Sequence, residues 1–168
     1  GAPPFSEIVK SYLFIPYARM DQPFMQPIYK LGWTLNYEMF FYAVFALVIV
    51  LPMRRAVMAV AIIFIALAGA GWVLRPATDV LQFWSHPIIL EFVWGAVIAL
   101  TVAGGMRLPR VAAWGMIALG LAGFAAWSMS GLDPHGALRP FVWGLPAALM
   151  VAGAAFMLSS ADSRPERL

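Results

Sequence analysis

Five apolar runs, each close to the length that crosses a lipid bilayer, follow one another along most of the chain. A helix rises 1.5 Å per residue, so about 20 apolar residues cross a hydrocarbon core that is about 30 Å thick. Proline, glycine or charged residues bound each run, which predicts separate helices joined by short loops. The runs cover residues 33–51, 56–74, 88–103, 111–129 and 141–158. This pattern predicts an all-α fold, a polytopic transmembrane helical bundle with about five spans.

The composition supports a membrane environment and excludes several kinds of site. Of the 168 residues, 62% are hydrophobic and 11% are charged, whereas soluble domains carry about 25% charged residues. The chain has no cysteine and two histidines, so no thiol chemistry, metal site or bound cofactor is expected. The net charge of +3 is better explained by membrane orientation than by nucleic-acid binding, and no nucleic-acid partner is expected.

Polar segments flank the apolar region. Residues 1–31 are rich in proline and are predicted to form an extracytoplasmic loop, with a short interfacial helix near Ile8 to Phe14. Residues 32–158 are interpreted as the five-helix transmembrane region of a larger domain, and residues 159–168 as a cytoplasmic polar tail. Because the chain starts with glycine and not methionine, we expect it to be part of a longer protein.

Basic and aromatic residues predict the orientation of the spans. With five alternating spans, three arginine pairs fall on one side, which should be cytoplasmic: Arg54/Arg55, Arg107/Arg110 and Arg164/Arg167. Five tryptophans map to the opposite, outer ends of the helices and are typical of an interfacial aromatic belt: Trp33, Trp72, Trp84, Trp127 and Trp143. In the fourth run, Ala118, Ala122 and Ala126 are spaced for close helix packing.

Glu38 is one of two acidic residues inside apolar runs. A carboxylate in hydrocarbon costs at least about 2.5 kcal/mol, so it should face the bundle interior and have a partner or a function. Thr34, Glu38 and Tyr42 are four residues apart and form a polar stripe on one helix face. This stripe can bind a polar group or orient a base. A purely structural pairing with an arginine or with the backbone of a neighbouring helix remains the alternative.

Glu91 is the second acidic residue and lies closer to the membrane interface. Gly95 follows one turn later and is expected to leave room beside the carboxylate. Two alternatives stay open for Glu91: it shares a cavity with Glu38, or it is simply hydrated at the interface. Arg75 and Arg139 enter at outer helix ends, where each can anchor its helix or offer positive charge to an anionic substrate.

The segment from Trp33 to Tyr42 resembles the signature helix of the acyltransferase type 3 family, which consists of bacterial integral-membrane acyltransferases. That signature is Trp, Ser or Thr, Leu, two variable residues, Glu, two variable residues, Phe and Tyr, and every fixed position is met here. A second segment, residues 87–95, is similar to a family segment in which Glu-Phe is followed by Gly. The resemblance covers residues 12–95 and is strongest to the exopolysaccharide O-acetylase branch.

The resemblance implies transfer of an acyl group, usually acetyl, from acyl-CoA to a sugar hydroxyl of an exported polysaccharide or lipid-linked glycan. The expected partners are therefore acyl-CoA, the glycan acceptor and the lipid bilayer of the bacterial inner (plasma) membrane. Glu38 carries over as a catalytic residue, and four residues carry over as substrate-binding: Trp33, Thr34, Tyr42 and Glu91. Outward aromatic residues are expected to stack on a sugar ring, among them Trp33, Tyr37 and Trp84.

The family's catalytic histidine lies in its first helix, with an arginine upstream, and matches no residue of this chain. We therefore expect the chain alone to be inactive. The alternative hypothesis is a fragment of a polytopic transporter or permease, in which Glu38 and Glu91 lie on the transport pathway. A third hypothesis, a non-catalytic membrane scaffold, predicts that Glu38→Gln is harmless.

Overall fold

The computed structural model describes residues 4–17, 32–76, 78–130 and 138–162. Within these ranges every regular element is helical, which confirms the all-α prediction. The helices are α1 (Phe5–Tyr12), α2 (Gly32–Val48), α3 (Met53–Leu74), α4 (Asp79–Trp84), α5 (Leu90–Ala103), α6 (Arg110–Ser130) and α7 (Leu145–Asp162). A 3₁₀ turn, Pro87–Ile89, precedes α5, and a π-helical segment, Pro140–Gly144, precedes α7. The predicted cytoplasmic pair Arg164/Arg167 lies outside the described residues.

Four helical stretches of the described chain are long and apolar enough to cross a membrane: Met53–Leu74, Asp79–Ala103, Arg110–Ser130 and Pro140–Met157. The protein is therefore a membrane protein. Helix α2 is also apolar but has 17 residues, which correspond to about 25 Å of helix and fall short of a hydrocarbon core about 30 Å thick. The fifth predicted span stays a prediction.

Large apolar side chains point away from the packed interior along the apolar helices. Leu47 is 78% exposed, Ile62 63% and Leu119 62%. Such residues would form an aggregation-prone surface in water, whereas hydrocarbon solvates them without cost. An α-helix satisfies its backbone hydrogen bonds internally, which a segment that spans the hydrocarbon core requires.

The chain divides into two compact units, Gly1–Ile89 and Leu90–Leu168, and each is described separately. In the first unit, α3 packs against α2, α4 and the 3₁₀ turn. The ring of Phe40 stacks on the fully buried Phe64, with centroids 5.7 Å apart, and on Trp84 at 5.0 Å. This aromatic core holds α2 against the end of α4.

In the second unit, α6 and α7 form the most extensive helix contact. Glycines permit it: a Cβ atom on Gly120 would lie 2.6 Å from the carbonyl oxygen of Pro146, and one on Gly153 would lie 2.6 Å from that of Ala113. Small residues therefore do mediate close packing, as is usual between membrane helices. The predicted stripe takes no part in this contact, because its members are exposed and lie off the buried face that carries Ala113 and Gly120: Ala118, Ala122 and Ala126. Close packing of the stripe stays a prediction.

Candidate functional site

Helix α2 has a buried face, mostly apolar but including the polar Asn36, and an exposed face that carries polar side chains. Its buried residues are Gly32, Asn36, Tyr37, Val44 and Val48. Glu38 follows Asn36 by two residues, which corresponds to about 200° around the helix. Glu38 is accordingly only half-buried, while Thr34 and Tyr42 are exposed. The polar stripe predicted from the four-residue spacing therefore lies on the side of α2 that faces away from the first unit's core.

A short hydrogen bond joins the two larger members of this stripe. The Tyr42 hydroxyl donates to Glu38 Oε1 at 2.6 Å. A hydroxyl bond of this length to a carboxylate is among the stronger hydrogen bonds of proteins. It restricts the rotation of the Glu38 side chain and leaves Oε2 as the atom that can meet a further donor. The structure thus brings Glu38 and Tyr42 together, and their roles in catalysis and substrate binding stay predictions.

The aromatic residues around Glu38 are divided between core and surface. Tyr37 is 7% exposed, stacks on Phe83 with centroids 4.0 Å apart and donates its hydroxyl to the Phe83 carbonyl oxygen at 2.9 Å. Trp84 stacks on Phe40. The expectation that Tyr37 stacks on a sugar was wrong, because its ring lies in the core, and one face of Trp84 is also occupied. Trp33 meets Tyr37 edge-on, at 6.1 Å and 89°.

Glu91 forms an ion pair in the second unit. It lies in the first turn of α5, and its Oε1 accepts a hydrogen bond from Arg139 Nε at 3.3 Å. Arg139 immediately precedes the π-helical segment and lies 48 residues further along the chain. The side chains are 33% exposed for Glu91 and 26% for Arg139. The structure makes Arg139 a direct charge partner of Glu91, which neither of the two roles predicted for Arg139 included.

The glycine that makes room for Glu91 is not the predicted one. A Cβ atom on Gly95 would meet nothing within 4 Å, whereas one on Gly144 would lie 3.0 Å from Glu91 Cγ and 3.6 Å from Cδ. Gly144 is buried at the end of the π-helical segment. The prediction for Gly95 was wrong because four-residue spacing on one helix says nothing about which neighbouring backbone approaches the side chain.

Four buried polar atoms have no hydrogen-bond partner among the described residues: Asn36 Oδ1 and the Nε1 atoms of Trp84, Trp94 and Trp143. Buried polar groups are satisfied in the great majority of cases, so each such atom asks for an explanation. Sequence reasoning missed Asn36 and Trp94 and assigned Trp143 to the aromatic belt. No signal in the sequence could have distinguished them, because burial of one atom depends on packing.

Glu38 belongs to the first unit and Glu91 to the second. The cavity predicted to contain both carboxylates therefore stays a prediction. The described residues provide two candidate sites, the Glu38–Tyr42 pair on α2 and the Glu91–Arg139 pair beside Gly144.

Comparison with known proteins finds a relative, a protein named for exopolysaccharide production. No family model matches the chain, and no solved structure matches it. It is 34% identical over 125 residues to a protein from Rhizobium meliloti (strain 1021). The alignment covers 74% of this chain and 39% of the relative, so the chain spans about two fifths of the relative's length. That relative is named exopolysaccharide production protein ExoZ, and the chain is similar to part of it.

Proposed function

We propose that this chain is the middle to C-terminal part of a membrane-bound O-acyltransferase of the acyltransferase type 3 family. The complete protein transfers an acyl group, with acetyl as the favoured choice, from acyl-CoA to a hydroxyl of a cell-surface or exported polysaccharide. The signature residues of α2 support the family, and the name of the relative supports an exopolysaccharide as the acceptor. The chain spans 39% of that relative, so the activity is proposed for the complete protein.

The observation that carries the proposal is the polar stripe on α2. Helix α2 presents Thr34, Glu38 and Tyr42 on the side that does not pack within its own unit. A carboxylate facing lipid is costly, so this side is best explained by a polar substrate or by further segments of the protein. The 2.6 Å bond from Tyr42 holds the Glu38 carboxylate in one orientation, as a residue that positions another group requires.

The chemistry needs a base and stabilisation of an oxyanion. The acceptor hydroxyl loses its proton to the base, and its oxygen attacks the carbonyl carbon of the thioester. The resulting tetrahedral oxyanion collapses, the carbon–sulfur bond breaks and CoA leaves as the thiolate. The family resemblance assigns the base to a histidine outside this chain. Glu38 then orients that base, as a carboxylate does in a catalytic triad, or accepts a hydrogen bond from the sugar hydroxyl.

In the proposed topology, acyl-CoA reaches the site from the cytoplasmic side of the bacterial inner membrane and the acceptor glycan reaches it from the outer side. Arg54 and Arg55 lie in the first turn of α3, and Arg107 lies in the loop before Arg110, the first residue of α6. All four are exposed and mark the proposed cytoplasmic side. Positive charge there also attracts the phosphates of CoA. The proposed site at Glu38 then faces the outer side, where the exported glycan passes.

The test is acyl transfer by the complete reading frame that contains this chain, expressed in bacterial membranes. Labelled acetyl is followed from acetyl-CoA into the host's exported polysaccharide. Glu38→Gln keeps the size of the side chain and removes its charge, so transfer is expected to fall by at least about 100-fold, as for loss of acid–base machinery. Glu7→Gln, the same substitution on α1, is the matched control.

Three outcomes are distinguished at equal protein level in the membrane. Label that disappears with Glu38→Gln but persists with Glu7→Gln supports the proposal and the role of Glu38. Label that persists with both variants contradicts the role of Glu38 in transfer and means that Glu38 has a structural role. The third outcome is that the unaltered protein gives no label in several hosts that make acceptor polysaccharides. This outcome overturns the acyltransferase proposal and favours the transporter hypothesis.

A further inference from the structure

The Glu91–Arg139 ion pair combines a hydrogen-bond acceptor with several donors at one place. The two side chains are joined at 3.3 Å and remain about one quarter to one third exposed. An ion pair within an apolar region is costly to maintain, and its structural contribution is often small. Its partial exposure means that a ligand can reach both charged groups. Gly144 has no side chain, and this leaves the space in which the Glu91 side chain lies.

Two tryptophans lie on the same two elements as the ion pair. Trp94 follows Glu91 by three residues on α5, and Trp143 follows Arg139 by four residues in the π-helical segment. Residues at these spacings share a helix face, and π-helical turns are rare and frequently occur at functional sites. Both indole Nε1 atoms are buried without a hydrogen-bond partner among the described residues. A buried indole N–H usually has a partner, so both donors are suited to a ligand.

The ring of Trp143 is held in place by the second unit's own packing. Its centroid lies 5.4 Å from that of Phe124, with the planes inclined by 44°. A ring fixed in this way loses little conformational freedom when a ligand binds, which favours affinity. The indole can therefore serve as a preorganised donor and as an apolar surface.

The charges and donors together define the class of ligand. Glu91 and Arg139 carry opposite charges, so their net charge is zero and a purely anionic ligand gains little. A hydroxyl group both donates and accepts hydrogen bonds, so it can donate to the carboxylate while accepting from the guanidinium or from an indole N–H. A sugar ring carries several hydroxyls and also an apolar face of C–H groups that packs against an indole.

We propose that Glu91, Arg139, Trp94 and Trp143 form a subsite for a sugar ring of the acceptor glycan. The proposal rests on the proposed function, since it gives the acyltransferase a second place that holds its acceptor. The subsite lies in the second unit and needs no residue of the Glu38 stripe.

Binding of a glycan to the complete protein tests the subsite independently of transfer. The probe is a deacetylated oligosaccharide cut from the exopolysaccharide of the source bacterium, and calorimetry on the protein in lipid nanodiscs measures its affinity. Trp94→Phe and Trp143→Phe keep the aromatic ring and remove the N–H donor. Each is expected to weaken binding by about 3–10-fold, the effect of one hydrogen bond. Trp72→Phe, whose side chain is 74% exposed on α3, is the matched control and should bind as the unaltered protein does.

Kinetics provide a second measurement, because a folding defect alone would not change the KM for one substrate selectively. The two tryptophan variants should raise the KM for the acceptor by a similar factor while the KM for acyl-CoA stays unchanged. Glu91→Gln, which preserves the shape of the side chain, should do the same. A change in both KM values, or in neither, contradicts the subsite.

The results separate the subsite from the proposed function. Binding that weakens in Trp94→Phe and Trp143→Phe supports the subsite even if no acyl transfer is detected. Transfer with unchanged acceptor affinity in both variants overturns the subsite and leaves the acyltransferase standing. Failure of the unaltered protein to bind the oligosaccharide also overturns the subsite.

Discussion

Replacing Gly153 by alanine would test the closest packing in the second unit. A Cβ atom at this position would lie 2.6 Å from the carbonyl oxygen of Ala113 and 2.8 Å from Cγ1 of Ile117. Both neighbours belong to α6, so the added methyl group enters the seam between α6 and α7. The carbonyl oxygen is backbone and cannot rotate away as the end of a flexible side chain can.

The magnitude follows from the displacement that the methyl group requires. Ordinary van der Waals contact begins at 3.4 Å, so α6 and α7 must separate by roughly 0.8 Å at this point, and close-packed interiors resist such shifts. Overpacking of this kind costs about 1–3 kcal/mol. The separation also reaches Gly120, whose contact with Pro146 is equally close. We therefore expect Gly153→Ala to lower the free energy of unfolding by about 1–3 kcal/mol.

The assay is reversible unfolding of the complete protein in detergent, with SDS as denaturant and helical circular dichroism as the signal. Gly115→Ala is the matched control, because it makes the same substitution on α6 where a Cβ atom meets nothing within 4 Å. The intrinsic preference of helices for alanine over glycine acts in both variants. The difference between them therefore isolates the contact between α6 and α7 at Gly153.

Equal unfolding free energies for Gly153→Ala and Gly115→Ala would refute this reasoning. They would mean that the two helices do not approach each other closely at Gly153. A loss confined to Gly153→Ala, with Gly115→Ala as stable as the unaltered protein or more so, is the expected result.

Two further substitutions test the candidate sites. Gly144→Ala places a Cβ atom 3.0 Å from Glu91 Cγ, so it should displace the carboxylate and lower the glycan affinity measured by calorimetry. Gly95→Ala is the control and should leave the affinity unchanged, because its Cβ atom meets nothing within 4 Å. A loss of affinity in Gly95→Ala but not in Gly144→Ala would contradict the proposed subsite. Tyr42→Phe keeps the ring and removes the 2.6 Å bond to Glu38, so labelled acetyl transfer should fall, though less than in Glu38→Gln. Transfer at the unaltered rate would show that this bond does not position the carboxylate.

Local features of the chain could be predicted from sequence because they depend on neighbours along one helix. Helix α3, Met53–Leu74, extends over the second apolar run, and α6, Arg110–Ser130, over the fourth. The bilayer sets this length, so a run of apolar residues carries the information by itself. The bond between Glu38 and Tyr42 joins residues four apart, and helix geometry alone brings such residues onto one face.

The sequence by itself determined that this is an all-α membrane protein with a carboxylate–phenol pair on one helix, because apolar length and helical period are local properties. Only the tertiary structure decided that Glu91 pairs with Arg139, 48 residues away. It also decided that Gly144, and not Gly95, makes room beside Glu91. The physical reason is the same in both cases. Several residues of a helix are equally suited to a close contact, and the neighbouring helix that approaches selects among them.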